Sequence, residues 1–77
     1  MIRVLYFAGL RDLTGKPEEI IDRREWTVQG FMDWAKATYP EFGDKTVFVA
    51  INEEYARPDD VIQAGDTVAM IPPVSGG

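Results

Sequence analysis

The apolar positions of this chain change period several times, and the changes mark its elements. Residues 2–7 are a β-branched and aromatic run with period two, as a strand requires. Ile2, Val4 and Tyr6 fall on one face, and Arg3, Leu5 and Phe7 on the other; the charge of Arg3 marks the second face as the less buried one. Phe7 is open to two readings, a contact offered to a partner or a cap on the edge of the core. Leu10 and Leu13, three apart, predict a short helical turn closed at Thr14-Gly15, and Lys16-Pro17 predicts a turn. Positions 18–24 predict a second strand whose mixed faces suit a sheet edge.

The period then lengthens. Val28, Phe31, Met32, Ala35 and Tyr39 recur at helical spacing and predict one main helix over 28–39, with Thr27 as its N-cap and Pro40 as its stop. Gly30 stands where a capping-box Glu would sit and costs ~1 kcal/mol against Ala. An aromatic stripe of this kind is the side that packs on a sheet. Period two returns over 46–51, where Val47, Val49 and Ile51 alternate with Phe48 and Ala50. Asn52-Glu53-Glu54 is a turn, Tyr55-Ala56 a short return, Arg57-Pro58-Asp59-Asp60 a loop, and Val61-Ile62 a brief apolar touch. Ala64-Gly65-Asp66 turns into a last strand over 67–71, with Val68 and Met70 on one face and Thr67, Ala69 and Ile71 on the other. Ile71 is thereby expected on the exposed side. The order is hairpin, one helix, then two or three strands, an α+β chain with one helix across one face of a mixed sheet. The first and last strands are expected as neighbours at its centre.

Composition narrows the chemistry. Seventy-seven residues allow one small domain, expected over 1–71, with 72–77 as an extended tail. At 45% hydrophobic, with four Phe, three Tyr and two Trp, the chain can build a core without staples. It has neither cysteine nor histidine, so disulfides, thiolate metal sites and the commonest general base are absent. Asp59-Asp60 and Glu53-Glu54 read as solvated turns rather than an acid/base pair. Self-contained catalysis is not expected. Thirteen acidic residues against eight basic ones, a net charge of −5, disfavour nucleic acid and anionic membranes and favour a basic protein partner. No apolar run approaches membrane-spanning length, and a cytoplasmic protein is expected.

One group remains with unusual chemistry, the carboxylate of Gly77. Pro72-Pro73 stops the last strand and projects Val74-Ser75-Gly76-Gly77 as an arm. Without side chains, Gly76-Gly77 can thread a narrow channel into another protein's active site; a frayed, functionless terminus is the other reading. The carboxylate is inert until another enzyme activates it with ATP. In a chain without cysteine, any carried sulfur must sit on that terminus as a thiocarboxylate.

Leu5-Tyr6-Phe7-Ala8-Gly9-Leu10-Arg11-Asp12-Leu13-Thr14-Gly15, Ile51-Asn52, and the stretch from Gly65-Asp66-Thr67-Val68-Ala69-Met70-Ile71 through Pro72-Pro73-Val74-Ser75-Gly76-Gly77 resemble the small, sulfur-carrying subunit of molybdopterin synthase. The likeness runs from end to end and is most specific at the C-terminus. It implies a ubiquitin-like β-grasp fold, adenylation of Gly77 by an E1-like activating enzyme, and conversion to 1-thioglycine. It further implies insertion of the tail into the large catalytic subunit, where cyclic pyranopterin monophosphate receives two sulfurs in a heterotetramer. It implies no bound cofactor or metal. By the same resemblance Gly77 bears the sulfur and Gly76 gives the slim approach. Phe7, Arg11, Tyr55 and Ile71, with Pro72, Pro73, Val74 and Ser75, meet the large subunit. Met70-Ile71 departs from an often aromatic place and Tyr55 from an often aliphatic one. A carrier for thiamine thiazole or tRNA thiolation, and a ubiquitin-like protein modifier, are the alternatives.

Overall fold

The computed structural model describes residues 1–43 and 46–72. In chain order its elements are β1 (Ile2–Tyr6), α1 (Gly9–Thr14), β2 (Glu18–Ile21), β3 (Glu25–Thr27), α2 (Val28–Thr38), a 3-10 turn (Pro40–Phe42), β4 (Phe48–Ile51), β5 (Glu54–Tyr55), β6 (Val61–Gln63) and β7 (Thr67–Ile71). Five strands form a mixed sheet in the order β2-β1-β7-β4-β5. β1 and β7 are parallel neighbours at its centre, with Val4 opposite Val68 and Tyr6 opposite Met70. The remaining contacts of that sheet are antiparallel, and β2 lies on its edge, as the alternation of its faces predicts.

The register decides which side chains meet the helix. Ile2, Val4 and Tyr6 of β1 and Val68 and Met70 of β7 are fully buried, and they share one core with Val28, Phe31 and Ala35 of α2. Met32 and Tyr39 pack against its margin. Each large aliphatic or aromatic side chain so buried contributes roughly 1.5–3 kcal/mol. Thr27 caps α2 as expected, its Oγ1 accepting from the Gly30 amide at 3.0 Å. This is the β-grasp arrangement that the resemblance implies.

Two expectations fail in detail. The second strand ends at Ile21, not at 24: its ladder to β1 stops at the Ile2–Ile21 pair, and the Met1 carbonyl instead accepts from the Gly65 amide. The freed residues turn back, and the Arg23 guanidinium lies 4.2 Å from the Trp26 ring centre. Trp26-Thr27, where the pattern predicts no strand, and Val61-Ile62, read as a brief apolar touch, belong to strands β3 and β6 of a separate antiparallel ribbon. Trp26 opposite Ile62 is its buried pair, each flanked on both sides by exposed residues. Three-residue strands are too short for periodicity to declare, and their pairing is non-local.

Gly30 also takes on a reason. A Cβ there would stand 3.1 Å from the Trp26 indole and 3.1 Å from the capping Thr27 hydroxyl. Trp26 is itself held edge-on to Phe31 and Trp34, each at a centroid distance of 5.5 Å, and has little room to yield. The helix gives up about 1 kcal/mol of propensity at this position so that the indole can lie over its first turn. Gly30→Ala is expected to lose about 1 kcal/mol net in denaturant unfolding, because overpacking exceeds the propensity gain; a more stable variant would show that Trp26 moves aside.

Next to Trp34, whose ring Tyr39 meets edge to face at 6.1 Å, Glu19 accepts hydrogen bonds from the hydroxyls of both Tyr6 and Tyr39, each at 2.8 Å, while Lys16 approaches its other oxygen at 3.7 Å. Burial, and then the adjacent Glu19 carboxylate, push the Tyr6 phenol far above its ordinary value of 10.0. The folded state therefore holds Tyr6 neutral. The associated stability is complete below about pH 10 and falls as pH rises beyond it. Two results are expected: Tyr6 phenolate absorbance appears only as the protein unfolds in alkali, and Tyr6→Phe costs about 1–2 kcal/mol at neutral pH while weakening the alkaline decline. An unchanged decline in that variant would place its origin elsewhere.

Candidate functional site

The helix covers only one face of the five-stranded sheet. On the other, the register brings Leu5, Ala69 and Ala50 side by side across three strands, with Phe48 opposite Ile71 at one end. Phe7 lies one residue beyond β1 but continues its ladder, its amide donating to the Met70 carbonyl at 3.3 Å. Tyr55 stands opposite Ala50, its ring meeting Phe48 edge to face at 6.0 Å. The result is a shallow apolar concavity of about 310 Å³ whose floor is small residues and whose rim includes Phe7, Tyr55 and Ile71. Phe7 is 41% exposed, Phe48 46% and Tyr55 74%, while Ile71 is half-buried. Large apolar side chains gathered in this way on one face are an unsatisfied surface.

Two turns bound the concavity. Leu10 closes a turn on the Phe7 carbonyl at 3.0 Å, with Ala8 at φ 52 and ψ −131. That is the first central position of a type II′ turn, where glycine is usual. Between β4 and β5, Asn52 and Glu53 both have positive φ, at 50 and 72, as a two-residue type I′ hairpin demands. The Asn52 side chain donates to Asp66 at 3.0 Å and accepts from the Thr67 amide at 3.0 Å, and its own amide donates to the Thr67 carbonyl at 2.8 Å. Asp66 in turn accepts from the Gln63 amide at 2.8 Å. The Ile51-Asn52 and Gly65-Asp66-Thr67 segments thus latch to each other, fixing where β7 begins relative to the hairpin.

Of the residues singled out in the sequence, Phe7, Tyr55 and Ile71 converge on this face. Arg11 is exposed on α1 and does not line the concavity, and Pro72 follows β7, half-buried. Pro73, Val74, Ser75, Gly76 and Gly77 lie outside the described residues. Sequence reasoning missed Leu5, Ala50, Ala69 and Glu53 among the lining residues, and Phe48 as a neighbour of Tyr55 just outside the concavity. The alternation within β4 carried a signal for Phe48 and Ala50, but the β4–β7 register is needed to set them beside Ile71 and Ala69. Among the described residues there is no cluster able to hold a metal ion, and no helix long and apolar enough to cross a membrane.

The comparisons with known proteins meet the same geometry. The ThiS family model matches residues 4–77. The molybdopterin synthase sulfur carrier subunit of Chlamydomonas reinhardtii is 37% identical, over 99% of this chain and 98% of its own. Among solved structures, a candidate molybdopterin converting factor subunit 1 from Pyrococcus furiosus superposes with a TM-score of 0.84 at 28% identity, covering 95% of this chain and 97% of the other. SAMP1 from Haloferax volcanii, a small archaeal modifier protein, gives 0.78 at 28% identity over 99% and 98%. With a family model spanning nearly its whole length, a full-length relative at this identity and the matching β-grasp sheet, the chain belongs to the ThiS family of ubiquitin-like proteins, among the molybdopterin synthase sulfur carrier subunits.

Proposed function

We propose that this chain is a sulfur carrier that works through Gly77 and is inactive alone. The observation that carries the proposal is the position of β7: a central strand, bonded on one side to β1 and on the other to β4, leads directly into the Pro-Pro-Val-Ser-Gly-Gly sequence. A tail rooted there has a fixed origin, and the uncovered apolar face beside that origin suits a protein that receives the tail. In this reading Phe7, Tyr55 and Ile71 dock the large subunit of molybdopterin synthase, with Arg11 and Pro72 at the margin. Pro73, Val74, Ser75 and Gly76 run on to the large subunit's active site.

The chemistry begins on the terminal carboxylate. An E1-like enzyme lets a Gly77 oxygen attack the α-phosphate of ATP, forming the acyl-adenylate and releasing pyrophosphate. Hydrosulfide from a sulfur donor then attacks the carbonyl carbon and expels AMP, and loss of the S–H proton leaves the thiocarboxylate. This anion is the nucleophile presented to cyclic pyranopterin monophosphate in the large subunit. Two carriers in turn complete the dithiolene within a two-plus-two complex. The chain contributes no acid, base or metal to these steps; its part is to hold one reactive group at the end of a narrow arm.

The similarity to a small archaeal modifier protein favours a second reading, in which activated Gly77 is joined to a lysine of a target. Both readings require activation and differ in the acceptor. Intact mass after incubation with ATP, an activating enzyme and a sulfur donor separates them: replacement of one oxygen by sulfur, absent when Gly77 is deleted, is expected of the carrier. A lysine-linked adduct without free thiocarboxylate would favour the modifier, and sulfur transfer by the truncated chain would remove both. Docking is tested apart from activation. Phe7→Ala and Ile71→Asp are expected to weaken binding to the large subunit at least tenfold by calorimetry, each losing over 1.4 kcal/mol, while Gly77 is still adenylated.

A further inference from the structure

The apolar concavity contains one charged residue. Of its lining side chains only Glu53 is ionisable near neutral pH, and it sits in the β4–β5 turn, two residues before Tyr55, which pairs with Ala50. None of the ion pairs among the described residues uses it. Its backbone is also out of the ordinary for its residue type. At φ 72, Glu53 occupies the second central position of a type I′ hairpin, where Asn-Gly is the preferred pair and a side chain with a Cβ is disfavoured. Asn52 suits its own position and is tied to β7 through its side chain; among the described residues the Glu53 side chain has no such bond to offset the conformation. A carboxylate without an ion-pair partner among the described residues, held in a disfavoured conformation on the lining of an apolar hollow, invites a functional reading.

We propose that Glu53 is a specificity residue of the docking face, receiving one arginine or lysine side chain of the large subunit. The inference rests on the carrier reading above and adds the chemistry of the contact. Such a side chain matches the hollow in both its parts. Its aliphatic stem can lie on Leu5, Ala50 and Ala69, while its cation meets the Glu53 carboxylate and the face of the Tyr55 ring. A neutral apolar side chain would fill the floor and bury the carboxylate unpaired, which is costly, so Glu53 also discriminates against partners lacking the cation. The net charge of −5 draws a basic partner toward the face from a distance, and Glu53 fixes the register once it arrives.

The test compares Glu53→Gln, Glu53→Gly and Phe7→Ala in binding to the large synthase subunit from the same organism, at low and high salt. Glu53→Gln keeps the shape and removes the charge; it is expected to weaken binding about tenfold at low salt, with most of the difference gone at 0.5 M. Glu53→Gly is expected to weaken binding equally while raising the melting temperature, because glycine relieves the positive φ. If Phe7→Ala weakens binding but Glu53→Gln leaves it unchanged at low salt, the charge contact is overturned and the docking face stands. If neither variant changes binding, the face itself is wrong. If sedimentation shows instead that Glu53→Gln alters only self-association, the occupant is a second copy and the proposal also falls.

Discussion

The parallel pairing of β1 with β7 is the constraint on which the rest depends. It joins the two ends of the chain in the middle of the sheet, and parallel strands cannot be linked by a tight turn. Everything between them serves as the crossover: β2 returns along the outer side of β1, α2 crosses one face, and β4 arrives on the free side of β7. Because β7 has a neighbour on each side, its direction is set by two ladders rather than one. The strand leading to Pro72 therefore has little freedom to tilt.

The same pairing explains why one face is left bare. One eleven-residue helix can cover one side of a five-stranded sheet but not two. The chain meets the second side by lowering its demand: Ala50 and Ala69 are small, Thr67 is amphipathic, and Arg3 pairs with Glu18 across the β1–β2 edge. Exposed large apolar side chains remain on this face at Ile20 on the β2 edge, at Phe7 beside the end of β7, and at Phe48 and Tyr55 by the β4–β5 hairpin. Phe7, Phe48 and Tyr55 depart from that economy, and together they leave an exposed apolar cluster on the bare face.

Most of the frame was legible in the sequence because it rests on local rules. The alternation of Ile2, Val4 and Tyr6 against Arg3, Leu5 and Phe7 separates the faces of β1, and Thr27 with Pro40 brackets α2. What was not legible is non-local. Trp26 and Ile62 form a pair only because α2 and the following strands bring them together, and neither three-residue segment announces it. Gly30 read as a helix defect until the indole above it was known. At the candidate site, Phe7, Ile71 and Tyr55 could be named one at a time, but Ala50, Ala69 and Glu53 join them only through registers that no single segment encodes.

The recurrent Ile51-Asn52 and Gly65-Asp66-Thr67 segments carry a further lesson about motifs. Their polar groups are spent on each other: Asn52 is bound to Asp66 and Thr67, and Asp66 to the Gln63 amide, with Gly65 at φ 93 donating to the Met1 carbonyl. None of these groups is left to do chemistry. The latch instead holds the β4–β5 hairpin against the start of β7, which sets Tyr55 and Glu53 on the same side of the sheet as Ile71. A motif that resembles a functional signature is here a piece of joinery. It acts by fixing where the β4–β5 hairpin sits relative to β7, so disrupting Asn52 would disturb the apolar concavity through geometry although its own side chain points into the latch.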